Sequence, residues 1–394
     1  MVFDVPAVFH GEMTRSSISV RERDTKSCRS ESGPAESGPA ESGQAANHAT
    51  LDQTVLVTGG SGYFGCLLVK QLRERGCHVR VLDRVDVPDR PCDVEFVQGD
   101  IRDPRAVQRA CRGASIVHHC VAQVPLAKDR NLFETVNVGG TRLLLESCLS
   151  ERVRKVIHVS SSAVFGVPKS NPVDEEQRPR PQEQYGVAKY RAEQQVHEFV
   201  KLGLDVTVLR PRTILGHGRL GIFQILFELV RRGKPIYVLG GGNNTYQFVH
   251  ADDLAKACIV ASESPGPDLF HVGAERFGTM RAMLESLVRH AGTGSPIRSL
   301  PMKPATLAMS VTSALGISPL GPYHALMYGR DMYFDVGKLR DRLGVIPRHS
   351  NDEMICESYD DYVSNRESVL SREEASHHRS AVRTGVLGLL FYLP

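Results

Sequence analysis

"VLVTGGSGYFG", residues 55–65, runs an apolar strand straight into four glycines, at positions 59, 60, 62 and 65. Glycine loses more backbone freedom on folding than any other residue, so such a cluster needs a physical reason. The segment that follows, "GYFGCLLVKQLRERG", carries an apolar stripe at Leu67, Leu68 and Leu72 and reads as a helix. A strand, a glycine turn and a helix start together bring unpaired N–H groups and the positive end of a helix dipole up to a pyrophosphate. Gly60-x-Gly62-x-x-Gly65 and Gly59-x-x-Gly62-x-x-Gly65 both have dinucleotide-turn spacing, with Tyr63 and Phe64 between the last two glycines. Asp83 closes the next strand, "HVRVLD", 18 residues beyond Gly65. A carboxylate there accepts both ribose hydroxyls and repels a 2′-phosphate, so NAD is expected over NADP, with Arg84 softening the contrast. Asp100 and Ile101 in "QGDIRD" stand where the third strand ends, suited to the adenine ring.

Beyond the turn the rhythm continues. "DVEFVQGD" and "SIVHHC" read as strands around the helix "PRAVQRACRG". A long helix is expected through "FETVNVGGTRLLLESCL", then the strand "RKVIHVSSS", the helix "GVAKYRAEQQVHEFVKLG" and the strand "LDVTVLRP". Short Val/Ile-rich strands alternating with helices imply parallel pairing through right-handed crossovers. The expected fold is therefore α/β, a Rossmann doubly wound parallel sheet with a smaller C-terminal substrate-capping region. The boundaries read as a disordered tail over 1–50, where "ESGPAESGPAESG" has nothing to bury, and a cofactor domain over 51–212 with interleaved later segments. A substrate-binding region over 213–370 and a second tail over 371–394 complete the chain.

Composition excludes several classes. The net charge is +3 over 394 residues, so no nucleic-acid surface is expected. The nine cysteines are scattered without a C-x-x-C pair, which argues against disulfides or structural zinc and for a reducing, cytoplasmic setting. No transmembrane span is expected, because the apolar end "GVLGLLFYLP" is about half the needed length. His118 and His119 are neighbours on a strand and point to opposite faces, so no metal site is expected of them.

"YGVAKY" sets Tyr185 and Lys189 at i and i+4 on one helix face. A phenol is a poor base at neutral pH, and an ammonium group nearby would lower its pKa. Upstream, "VSSSAVFG" ends a predicted strand in hydroxyls, at the sheet edge where α/β ligands bind.

"TGGSGYFG", "GDIRD", "NVGGT", "SSSAVFG", "YGVAK", "LRPRTILG" and "FVHADDLA" occur in an order that resembles extended short-chain dehydrogenases, the NAD-dependent epimerase/dehydratase group, over roughly residues 54–365. The resemblance implies a catalytic Ser–Tyr–Lys set of Ser161, Tyr185 and Lys189. It gives Asn137 a place in the proton relay and Pro211 a turn beside the nicotinamide. It makes His250 and Asp252 structural, and implies a homodimer built on helices near 128–149 and 185–202. The chain departs from the pattern in two ways. Dehydratases carry an Asp-Glu pair within the serine motif, which "SSAVFG" lacks, so dehydration is not expected. Epimerases place an arginine for the substrate diphosphate where Tyr246 stands here, leaving Arg212, Arg219 and Arg330 as candidate phosphate partners. The expected function is a nucleotide-sugar epimerase acting by transient hydride transfer. The alternatives are a 3β-hydroxysteroid- or sterol-type dehydrogenase or ketone reductase, for which the apolar stretch 303–329 speaks, and a non-catalytic dinucleotide sensor.

Overall fold

A computed structural model describes residues 53–125, 131–315, 322–371 and 388; the tail expected over 1–50 and almost all of that over 371–394 lie outside the described residues. The strands β1 (Thr54–Thr58), β2 (His78–Asp83), β3 (Glu95–Gln98), β4 (Ala114–His119), β5 (Lys155–Val159) and β6 (Val206–Pro211) join a seventh, Asp268–Val272, in one sheet. Its order is β3-β2-β1-β4-β5-β6 followed by Asp268–Val272, and every neighbouring pair is parallel. β5 and β6 are buried along their whole length, which is why their sequences are near-continuous apolar runs. The strand order reverses between β1 and β4, the crevice where open α/β sheets bind ligands.

Local chemistry sets the helix starts. Asp103 caps Pro104–Cys111 by accepting from Arg105 N, with proline in the first turn. The expected single helix over 133–149 is instead a π-helix, Phe133–Gly140, running into the α-helix Thr141–Ser150. Asn137 lies inside the π-helical stretch, and its amide exchanges two hydrogen bonds with the backbone of Gln123, at 2.7 and 3.0 Å. The widened turn lets Asn137 hold the loop after β4.

After Pro211 the chain builds the cap from Phe223–Arg231, Met280–Ala291, Met302–Ala314 and Asn351–Ser371, with short ladders between them. Phe223, Phe227, Met283, Leu284, Leu287, Met332, Tyr359 and Tyr362 fill its core. Glu228 is the cap's polar hub, binding Arg231, Arg232, Arg366 and the Tyr362 hydroxyl, and these partners hold its carboxyl far below the usual range. His250 caps the helix Ala251–Glu263 by accepting from Asp252 N at 3.2 Å, and Asp252 accepts from Gln71 on the first helix at 3.0 Å. All eight cysteines among the described residues are free thiols, and no described helix is long and apolar enough to cross a membrane.

Candidate active site

A cavity of about 950 Å³ opens at the carboxyl ends of β1, β4, β5 and β6 and runs under the cap. Its floor begins at the glycine turn. A Cβ on Gly65 would lie 2.0 Å from the Gly59 carbonyl oxygen, so only glycine lets the helix Tyr63–Glu74 start against the end of β1. Gly59, Gly62, Tyr63, Phe64 and Gly65 all line the cavity. Asp83 accepts from the N–H of Ser61 at 3.0 Å and of Arg84 at 2.7 Å, and burial pushes its carboxyl above the usual range. The open glycine turn, the helix N-terminus behind it and the carboxylate at the end of β2 fit a dinucleotide. Asp100 is tied by Arg102 at 2.7 Å, and Ile101 packs beneath Gly140; neither lines the cavity. Pro211 lines it at the end of β6.

The helix Gln184–Lys201 starts where Glu183 accepts from the N–H groups of Tyr185 and Gly186, at 2.8 and 2.6 Å. Gly186 then packs on the serine turn: a Cβ there would lie 2.3 Å from the carbonyl oxygen of Ala163. That close approach sets Tyr185 beside Ser161, whose own Oγ accepts from Ala163 N at 3.2 Å. Tyr185 is buried, and desolvation pushes its phenol up to about 12, with Ser161 and Arg219 pulling the other way and Glu183 adding to the rise. Lys189 donates to the Val159 carbonyl at 2.9 Å, and burial pulls its ammonium down to about 8. The groups that act on the phenol are thus Ser161, Glu183 and Arg219. Lys189, with no described carboxylate in hydrogen-bond reach, anchors to the end of β5 instead. Behind it Glu193 binds Arg210 through two hydrogen bonds, 2.9 and 2.6 Å, and accepts from Ser160, fixing the strand end.

His118 and His119 do face opposite sides of β4: His119 bridges Thr58 at 2.8 Å and Thr141 at 3.0 Å, using both ring nitrogens, while His118 is enclosed in the core. Of the three arginines, Arg212 and Arg219 line the cavity and Arg330 is exposed outside it. Arg212 donates to Ser162 Oγ at 2.8 Å and lies over the ring of Tyr246.

The far wall was not legible in the sequence. It is built by Ile222, Phe223, Ile225, Leu226 and Leu229 of one helix, Met280, Met283 and Leu284 of another, Val238 and Leu239, and Met309. No local motif marks these positions, because packing of the cap alone gathers them. A second cluster missed in the sequence lies outside the cavity, where His217, His250 and Glu357 bring ligand-type atoms within 4.8 Å of one another. In the structure the Glu357 carboxylate already joins the two imidazoles, each at 3.1 Å.

The profile of the NAD dependent epimerase/dehydratase family matches residues 55–273. The chain is 52% identical over 341 residues to the uncharacterized protein y4nG of Sinorhizobium fredii (strain NBRC 101917 / NGR234), with 86% of each chain covered. It is 28% identical over 319 residues to a Mus musculus sterol-4-alpha-carboxylate 3-dehydrogenase, decarboxylating, covering 76% of this chain and 88% of that one. Among solved structures it is similar to a Thermotoga maritima UDP-glucose 4-epimerase with UDP-glucose (TM-score 0.69, 24% identity, 80% and 100% covered). It is also similar to a Thermus thermophilus UDP-glucose 4-epimerase complex with NAD (TM-score 0.65, 26% identity, 79% and 99% covered).

Proposed function

From the premise that the chain belongs to the NAD-dependent epimerase/dehydratase family and is an NAD-dependent enzyme of the extended short-chain dehydrogenase type, we propose that it interconverts a secondary alcohol and a ketone on a largely apolar substrate. Tyr185 is the acid–base group. In oxidation the substrate's hydroxyl proton passes to the Tyr185 oxygen; in reduction the same phenol returns it. NAD supplies the acceptor for the carbon-bound hydrogen, which leaves as hydride. Ser161, beside the phenol, donates to the substrate oxygen and keeps it within reach of the proton. Lys189, anchored to the end of β5, holds the nicotinamide ribose. Gly59, Gly62, Tyr63, Phe64 and Gly65 cradle the diphosphate, Asp83 takes the ribose hydroxyls of the adenosine half, and Pro211 borders the nicotinamide. Asn137 positions the loop after β4.

The observation that carries this substrate class is the set of apolar residues, from Ile222 through Leu284, that line the same cavity as Tyr185. Burying a hydroxylated hydrocarbon there removes apolar surface from water at about 25 cal/mol per Å², whereas a sugar's hydroxyls would lose water there and find partners only at the polar residues that interrupt the wall, such as Tyr237, Asn244 and Tyr246. A nucleotide-sugar epimerase is the second reading, favoured by Arg212 and Arg219 in the same cavity and by the bound ligands of the solved relatives. The test supplies purified enzyme and NAD with a panel of apolar secondary alcohols, sterols included, and with UDP-glucose. NADH accumulating in proportion to ketone formed from an apolar alcohol is the expected result. Stereochemical inversion of UDP-glucose with no net NADH overturns it in favour of the second reading.

A further inference from the structure

Arg219 is a buried cation. Its Nε is buried and has no hydrogen-bond partner, and no carboxylate pairs with it among the described residues. Its guanidinium lies over the rings of Tyr63, at 5.4 Å, and Phe223, at 5.8 Å, and it lines the cavity. The groups that act on it electrostatically are the phenols of Tyr63, Tyr185 and Tyr328, and burial pulls it down to about 10. A guanidinium held in such a place with no anion is costly unless a ligand brings one.

The position is built, not accidental. Residues 216–219 are strapped to the helix Asn351–Ser371: Ser358 Oγ accepts from Gly216 N at 3.1 Å, Asp361 accepts from Gly218 N at 2.8 Å, and Glu357 holds the His217 ring at 3.1 Å. Three side chains on one face of that helix therefore fix the loop that carries Arg219. Tyr63, whose ring lies against the guanidinium, is the first residue of the helix that opens at Gly62, so Arg219 reaches from the cap to the side chain next to the glycine turn. An anion held at the helix N-terminus would be attracted by the nearby guanidinium as well.

We infer that Arg219 is a lid-side clamp for the dinucleotide's diphosphate, closing from the cap onto the group that the glycine turn holds from the sheet, with Asp361 as its positioning residue. The cofactor thereby bridges the two halves of the fold.

The test is calorimetric binding of NAD, ADP-ribose and adenosine to the full-length protein, wild type against Arg219→Met, Arg219→Lys and Asp361→Asn. Removing the charge should weaken NAD and ADP-ribose by about 10–100-fold, the usual scale for a charge-assisted contact, and change adenosine binding by less than about twofold. Arg219→Lys should recover most of the loss, and Asp361→Asn should show a smaller loss of the same diphosphate-dependent kind. Unchanged ADP-ribose affinity in Arg219→Met overturns the inference, as does a defect seen only in the KM of an acidic substrate, which would assign the arginine to a substrate anion. Should Arg219→Met fail to fold, the Asp361→Asn and Arg219→Lys results decide by the same criterion. Failure of wild-type protein to bind NAD at all would instead count against the cofactor assignment, a separate outcome.

Discussion

At the sheet end of the cavity the working side chains come from short, contiguous stretches at strand ends and helix starts: residues 59–65, 160–162 and 185–189. At the cap end the wall is assembled from single residues scattered between Ile222 and Met309, mostly apolar, with Tyr237, Asn244 and Tyr246 among them. The first end is polar, tightly hydrogen-bonded and geometrically strict; the second is greasy and shape-forming. On the proposed reading, chemistry sits on the rigid scaffold, and choice of substrate sits on the part of the chain with the weaker local constraints.

The sharpest way to break this division is Tyr185→Phe. Turnover should fall by about 10³-fold, within the range for a lost general acid–base group, while NAD affinity by calorimetry stays within about twofold. Retained turnover would remove the phenol from the mechanism. In the wild type, burial keeps the phenol protonated through neutral pH, since its value is pushed up to about 12. Ketone reduction therefore keeps its acid, and alcohol oxidation should gain rate as pH rises from neutral toward ~10, readable in initial velocities.

Leu226→Arg attacks the opposite end. The new charge sits in the apolar wall, so KM for an apolar alcohol should rise by about 10–100-fold with NAD affinity unchanged in the same calorimeter. An unaltered KM would show that substrate does not reach that wall.

The smallest expected effect is Gly186→Ala. In an ordinary helix interior this change stabilises by roughly 0.5–1 kcal/mol, but here the methyl meets the Ala163 carbonyl at 2.3 Å. We expect a loss of about 1–3 kcal/mol in denaturant unfolding and a fall in kcat of about tenfold, because Tyr185 moves away from Ser161. A variant more stable than wild type would mean that the helix is free to shift without cost.

The same division explains what could be read from the chain alone. The parallel sheet, the glycine turn, Asp83 and the Tyr185–Lys189 pair were legible because each depends on residues close in sequence with a fixed spacing. His250 and Asp252 were legible as structural, and they cap and tie the helix Ala251–Glu263. The π-helical turn at Asn137 left no signature in the apolar periodicity, which gave one unbroken helix over 133–149. The anchoring of Lys189 to Val159, rather than directly on the phenol, depends on which carbonyl a strand end leaves open. Arg219 was visible only as one basic residue among three, since its lack of a partner is a property of packing between regions far apart in the chain.

The strand Asp268–Val272 leaves the cap and returns to pair with β6. A gene fragment stopped at residue 212 would therefore end with the main-chain groups of β6 bare along one side, an invitation to stick to any passing extended peptide.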